Sequence, residues 1–159
     1  MIKFACCPNF EYKSFNFIIT IIEVIIFALM LAYDGVEREG EFLQTSHFAI
    51  KDFGAKWPYL MKYEYQIWRF ITPIFLHANL SHLVFNSFCQ LIFGVQLEHR
   101  FGTKNIVYIY FGSGYAGNLL STLFLDGPSV GASGAIFGLL GCLVGYLCLN
   151  WDALDHPGS

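Results

Sequence analysis

Four long apolar runs set the plan of the chain. They cover about residues 15–33, 79–97, 105–125 and 132–149. Each approaches the ~20 residues a helix needs to cross the hydrocarbon core of a bilayer. Buried helices of a soluble protein would need polar helices around them, and the sequence supplies none. The pattern therefore predicts an all-α fold, a polytopic transmembrane helical bundle. Between the first and second runs, residues 34–76 interleave charged and aromatic positions, among them Phe42, Trp57, Tyr59, Tyr63, Trp68 and Phe70. That mixture predicts short helices lying in the membrane interface, because structureless loops of this length are uncommon. The remaining connections, 98–104 and 126–131, are short.

Parity fixes the geometry. Successive spans alternate in direction, so the 34–76 segment and the 126–131 turn lie on one side. The second and fourth spans both start there, which places His82 and Ser133 at similar shallow depth. Lys3, Lys13, Arg100 and Lys104 share the other side, and the 126–131 turn carries no Lys or Arg. The positive-inside rule then favours a cytosolic N-terminus. Arg38, Lys51, Lys56, Lys62 and Arg69 of the long segment count against it.

Composition agrees with a membrane protein. Of 159 residues 55% are hydrophobic and 13% charged, where a soluble domain has about 25% charged. The 17 Phe, nine Tyr and three Trp suit lipid-facing helices with interfacial anchors, making the bilayer itself a partner. A net charge of −3 points away from nucleic acid. Cys89, Cys142 and Cys148 fall inside apolar runs and read as packing residues. Cys6 and Cys7 precede the first run, as free thiols or as a weak palmitoylation signal. The first run is long and lacks a small-residue cleavage site, so it is expected to remain as an anchor.

Candidate chemistry lies at the starts of the second and fourth spans. His82 and Asn86 stand at i and i+4 and share one helix face. Gln90 extends that stripe and reads as polar glue between helices. For His82 and Asn86, glue and function weigh equally, since polar groups in membrane spans usually mark function. Gly134, Gly138, Gly141 and Gly145 form a small-residue packing stripe. Ser133 sits about 100° round the helix from it. A serine in a first helical turn has free backbone N–H groups and the positive dipole end beside it, which suits stabilising an oxyanion. Glu23, at mid-span, reads as a protonated or hydrogen-bonded group facing another helix.

Together these features resemble the rhomboid intramembrane serine proteases. The matching residues are Trp68-Arg69, the His77-x4-His82-x3-Asn86 string, Glu98-x3-Gly102, and Gly131-Ala132-Ser133-Gly134 followed by Phe137-Gly138. The resemblance implies that residues 1–159 are the N-terminal part of one rhomboid-like domain. It implies Ser133 as the nucleophile, with His82, Asn86 and the Ser133 N–H holding the oxyanion. His77 is implied to be structural and close to the site. Gly131 and Gly134 would let substrate and neighbouring helix approach. Trp68 and Arg69 would anchor the interfacial loop, and Glu98 and Gly102 would be scaffold at the far membrane end. The implied substrates are transmembrane proteins, and no metal or organic cofactor is implied. His77 and His82 also have no nearby Cys or carboxylate to complete a metal site.

The resemblance also implies a Ser–His dyad whose base stands on the sixth helix of the family's core. The only His downstream of Ser133 is His156, expected on the opposite side of the membrane, about 30 Å away along the helix. The 159-residue chain is therefore expected to be inactive alone, as an incomplete product of a rhomboid protease. Its rivals are a non-catalytic rhomboid-like protein that binds transmembrane helices and a channel or transporter fragment. The latter predicts a path of ionisable residues, of which only Glu23 is present.

Overall fold

The computed structural model describes residues 12–151. Lys3, Cys6, Cys7 and His156 lie outside the described residues. The first helix, α1 (Phe15–Asp34), starts where the Ser14 side chain accepts from the Phe17 N–H at 3.1 Å. Its outward face carries Ile18, Ile22, Ile25 and Leu29, while Asn16, Thr20 and Glu23 are buried. This is a soluble helix turned inside out, apolar where lipid would lie and polar where another helix lies.

The long connection folds into short helices. They are α2 (His47–Asp52), α3 (Pro58–Tyr63) and two 3₁₀ turns, Ile67–Phe70 and Thr72–Phe75. Ser46 caps α2 by accepting from the Ala49 N–H at 3.1 Å. Pro58 opens α3 at a position where its missing N–H costs nothing. The next helix is continuous from Leu80 to Phe101, built of α4 (Leu80–Cys89), a π turn (Gln90–Gly94) and α5 (Val95–Phe101). Gly102 reverses the chain at φ +83°, a backbone region open mainly to glycine. Two further helices follow, α6 (Thr103–Phe124) and α7 (Ser133–Leu149).

These bounds follow the four apolar runs of the sequence. The α1 helix and the Leu80–Phe101 helix are long and apolar enough to cross a membrane, and α7 is apolar over 17 residues. The α6 helix has 22 residues but carries Ser113, Asn118, Ser121 and Thr122.

The helices meet over an apolar cluster that includes Ile19, Ile74, Leu97, Ile106, Ile136 and Leu139. Two polar clusters pass through the same bundle. Glu98, on α5, accepts from the Phe15 and Asn16 N–H groups (2.8 and 3.2 Å), the Asn16 amide (2.9 Å) and the Thr103 hydroxyl (2.8 Å). One carboxylate thus caps the start of α1 and braces the start of α6. Deeper in the bundle, Gln90 donates to Thr20 Oγ1 at 2.7 Å and Glu23 Oε2 at 3.3 Å. Tyr110 Oη lies 2.9 Å from Glu23 Oε1 and 2.8 Å from Gln90 Oε1. The phenol has one proton for two acceptors. The ring closes with every contact served when Glu23 carries a proton and donates it to Tyr110, which donates in turn to Gln90.

That ring predicts a contrast between two substitutions. Glu23→Gln keeps a donor toward Tyr110 and should shift stability by less than about 1 kcal/mol. Glu23→Ala takes one partner each from Tyr110 and Gln90, which keep their mutual bond, and should cost about 2–3 kcal/mol. Thermal unfolding in detergent micelles compares them, and equal losses in both would remove the ring from the stability of the bundle.

Candidate functional site

The Asn79 side chain sets the start of α4, accepting from the His82 N–H at 2.7 Å. Thr45 pins the preceding residue, its N–H and hydroxyl both donating to the Ala78 carbonyl (2.8 and 3.0 Å). His82 then falls in the first turn of α4 and Asn86 one turn later on the same face. His82 is half-buried, and Asn86 is only 3% exposed. The Asn86 Nδ2 has no hydrogen-bond partner among the described residues.

The chain that enters α7 meets this face. Gly131 has φ +126°, and its N–H donates to the Pro73 carbonyl at 2.8 Å. A β-carbon built on Gly131 would stand 2.7 Å from His82 Nε2 and 3.6 Å from Asn86 Nδ2. Glycine is required there twice over, by backbone conformation and by the imidazole against it. Two residues later Ser133 opens α7. Ala132 precedes it without a side-chain cap, leaving the first N–H groups of the helix free of side-chain acceptors. Ser133 is exposed, and its hydroxyl has no hydrogen-bond partner among the described residues. It lines a cleft of about 260 Å³ with Gly114, Gly117, Asn118, Gly131 and Gly134.

Gly134 forms the close approach between α6 and α7, with the Gly114 Cα 3.7 Å from where a β-carbon would be. Gly138 meets Ser113 of α6, whereas Gly141 and Gly145 meet nothing within 4 Å among the described residues. The sequence stripe is thus used for packing over its first half.

His77 is fully buried, and neither ring nitrogen has a partner among the described residues. Its ring stands edge-on to His82 with centroids 5.1 Å apart. Burial, and secondarily the neighbouring His82, push its pKa down to about 3. It is a neutral imidazole under the site. Arg69 is also buried, donating from Nη1 to the Lys51 and Ala55 carbonyls (each 2.8 Å) and from Nε to Gln66 at 2.6 Å. Trp68 beside it is 53% exposed, so the two neighbours diverge, the guanidinium into the loop and the indole outward. Sequence reasoning missed Lys56 and Tyr110, both buried and hydrogen-bonded to distant elements. A lysine in a charged loop and a tyrosine in an apolar helix carry no local signal of those partners.

A hydroxyl, an amide and an imidazole therefore lie around one glycine. The arrangement supplies donors for a developing negative oxygen, and among the described residues no base is hydrogen-bonded to the Ser133 hydroxyl. A rhomboid-domain family model matches residues 64–158. The chain is 36% identical over 151 residues to Rhomboid-like protease 1 of Toxoplasma gondii, covering 94% of this chain and 50% of that one. It is 34% identical over 173 residues to RHOMBOID-like protein 7 of Arabidopsis thaliana, covering 95% of this chain and 55% of the relative. It is 33% identical over 137 residues to Rhomboid protease GluP of Bacillus subtilis, covering 86% and 25%. The chain spans about half the length of the first two relatives.

Two predictions rest on this geometry. Folded His77 refuses a proton down to about pH 3, whereas an unfolded imidazole takes one near 6.5. Stability is then intact above pH 6.5 and declines as pH falls toward 3, by up to about 1.4 kcal/mol per pH unit. His77→Phe should lack that part of the slope in thermal unfolding between pH 7 and 5, and an unchanged slope would contradict the assignment. Gly131→Ala should cost about 1–3 kcal/mol through backbone strain and the clash with His82. A fully stable Gly131→Ala protein would mean that the turn is looser than described.

Proposed function

The chain belongs to the rhomboid family, and on that premise we propose that it carries the nucleophile and oxyanion site of an intramembrane serine endopeptidase. The observation behind this reading is the convergence at Gly131. The His82 imidazole and the unpartnered Asn86 amide lie against it, and an unpaired Ser133 hydroxyl follows two residues on. Ser133 Oγ attacks the carbonyl carbon of a peptide bond in or near a substrate's transmembrane helix. The oxygen gains negative charge and is held by the Ser133 N–H, a His82 ring N–H and the Asn86 amide. Collapse of the tetrahedral intermediate breaks the C–N bond, the leaving amine takes the proton that the base removed from Ser133, and the acyl-serine left behind is hydrolysed by water.

A serine hydroxyl needs a base to take its proton. In this reading the base lies outside residues 12–151, and the described portion is silent without it. The site opens on the face that carries the first loop, and the N-terminus lies on the cytosolic face. The second reading is a non-catalytic rhomboid-like protein that binds transmembrane helices. The observation that favours it is that no base is hydrogen-bonded to the Ser133 hydroxyl among the described residues.

The readings separate by kinetics. In a form that continues past Ser159 and carries a distal His, Ser133→Ala should abolish cleavage of a model transmembrane substrate. His82→Ala and Asn86→Ala should each lower kcat by about 100-fold or more with little change in KM, because they serve charge present only in the transition state. Unchanged kcat in both folded variants would return these residues to interhelical glue. Absence of any Ser133-dependent cleavage would favour the non-catalytic reading.

The topology is tested by single cysteines at Gln44, Asp126 and Asn105 in a cysteine-free background. A membrane-impermeant maleimide applied to intact cells or sealed vesicles should label the first two together, and the third only after the membrane is opened. Labelling of Gln44 and Asp126 from opposite faces would separate His82 from Ser133 and end the protease reading.

A further inference from the structure

Lys56 is 1% exposed, in a loop whose other lysines, Lys51 and Lys62, are not buried. A buried ammonium is costly unless each N–H finds an acceptor. This one finds three at the end of α6: Ser121 Oγ at 2.8 Å, the Leu125 carbonyl at 3.2 Å and the Ser121 carbonyl at 3.4 Å. The last turn of a helix carries the negative dipole end, so a cation is favoured there, although the Ser121 carbonyl also accepts from the Leu125 N–H at 2.9 Å. Burial lowers the Lys56 pKa, and Asp126 opposes that shift.

The Lys56 backbone fastens the next segment. Its N–H donates to the Ser129 carbonyl at 3.0 Å, and the Ser129 N–H donates back to the Lys56 carbonyl at 3.2 Å. Two residues on, the Gly131 N–H is held by Pro73. The residue before Lys56 is itself fixed, because Arg69 donates to the Ala55 carbonyl. A connected series therefore runs from Arg69 through Ala55 and Lys56 to both ends of the 126–131 turn.

We propose that Lys56 is a positioning residue for Ser133. Its ammonium holds the end of α6, its backbone holds Ser129, and together they fix the turn that sets Gly131 against His82 and Asn86. The role rests on the protease reading for its purpose, and the geometry can be tested apart from it. Lys56 has no hydrogen bond to Ser133, His82 or Asn86; its ammonium is held by Ser121 and Leu125 and its backbone by Ser129.

The test has two arms, both in detergent, the first on the 159-residue chain. The first is amide hydrogen exchange by mass spectrometry in wild type, Lys56→Met, Lys56→Arg and Ser121→Ala. Losing charge-assisted hydrogen bonds in Lys56→Met should speed exchange in residues 125–133 by about 10-fold or more, with α1 and α5 unchanged. Lys56→Arg keeps the cation and should lie nearer wild type. Ser121→Ala removes one acceptor and should give a smaller effect confined to the same residues, which decides the matter if Lys56→Met does not fold. No local change, or a uniform rise in every helix, would overturn the proposal.

The second arm is cleavage kinetics in a form continuing past Ser159. Lys56→Met should lower kcat by about 10-fold or more with KM little changed, since a displaced turn spoils transition-state contacts. An unchanged kcat, or a rise in KM alone, would also overturn the positioning role. If wild type shows no Ser133-dependent cleavage, the protease reading fails while the exchange arm still decides what Lys56 holds.

Discussion

A polar group in the hydrocarbon core has no water to return to, so its partner must come from the protein. Most of the structure follows from that constraint. Glu98 can stand at the base of the bundle because four donors from α1 and α6 surround its carboxylate. Glu23, Gln90 and Tyr110 can lie among apolar helices because each completes the others. These two clusters fix α1 against the Leu80–Phe101 helix and α6 more specifically than Ile and Leu contacts do, since lipid tails offer apolar side chains an equally good solvent. The exceptions then carry information. Unpartnered buried atoms occur at Asn86 and at both His77 nitrogens; the Asn86 amide lies by Gly131 in the turn that delivers Ser133, and the His77 ring stands edge-on to His82. Asn16 Oδ1 and Ser87 Oγ are also unpartnered. Asn16 already serves Glu98 through its amide nitrogen.

The first loop is part of the site's framework. Arg69 organises the loop by binding the Lys51 and Ala55 carbonyls. Lys56 and Pro73 pass that order on to the 126–131 turn. The glycine at 131 lets the turn lie flat against His82. A loop without these contacts would leave Ser133 on a helix end free to shift relative to the oxyanion donors, and misplacements on the scale of 1 Å are costly in catalysis.

Much of this was legible in the sequence, and the reasons are local. Hydrophobic runs report helices because helix period and lipid exposure are short-range properties. His82 and Asn86 share a face because they are four residues apart on a helix. Gln90 was read as interhelical glue, and it bonds Thr20 and Glu23 across the helix contact. The glycines of α7 were read as one stripe. Small size permits close approach without naming a partner, and only Gly134 and Gly138 meet α6 among the described residues. Lys56 and Arg69 entered the sequence count as free loop charges. Both are buried against backbone carbonyls, those of Lys56 lying 65 and 69 residues away in the chain. Backbone acceptors leave no mark on a sequence. With those two spent inside the protein, the loop's exposed or half-exposed cations are Arg38, Lys51 and Lys62.

The proposed reading makes Ser133 the nucleophile. It is tested most directly by treating the longest form of the protein made in its own cells with a fluorophosphonate and mapping the adduct by mass spectrometry. The account predicts one adduct, on the peptide that carries Ser133, lost in Ser133→Ala and weakened in His82→Ala. An adduct on Ser113, Ser121 or Ser129 instead, or none in a preparation that cleaves a transmembrane substrate, would contradict it.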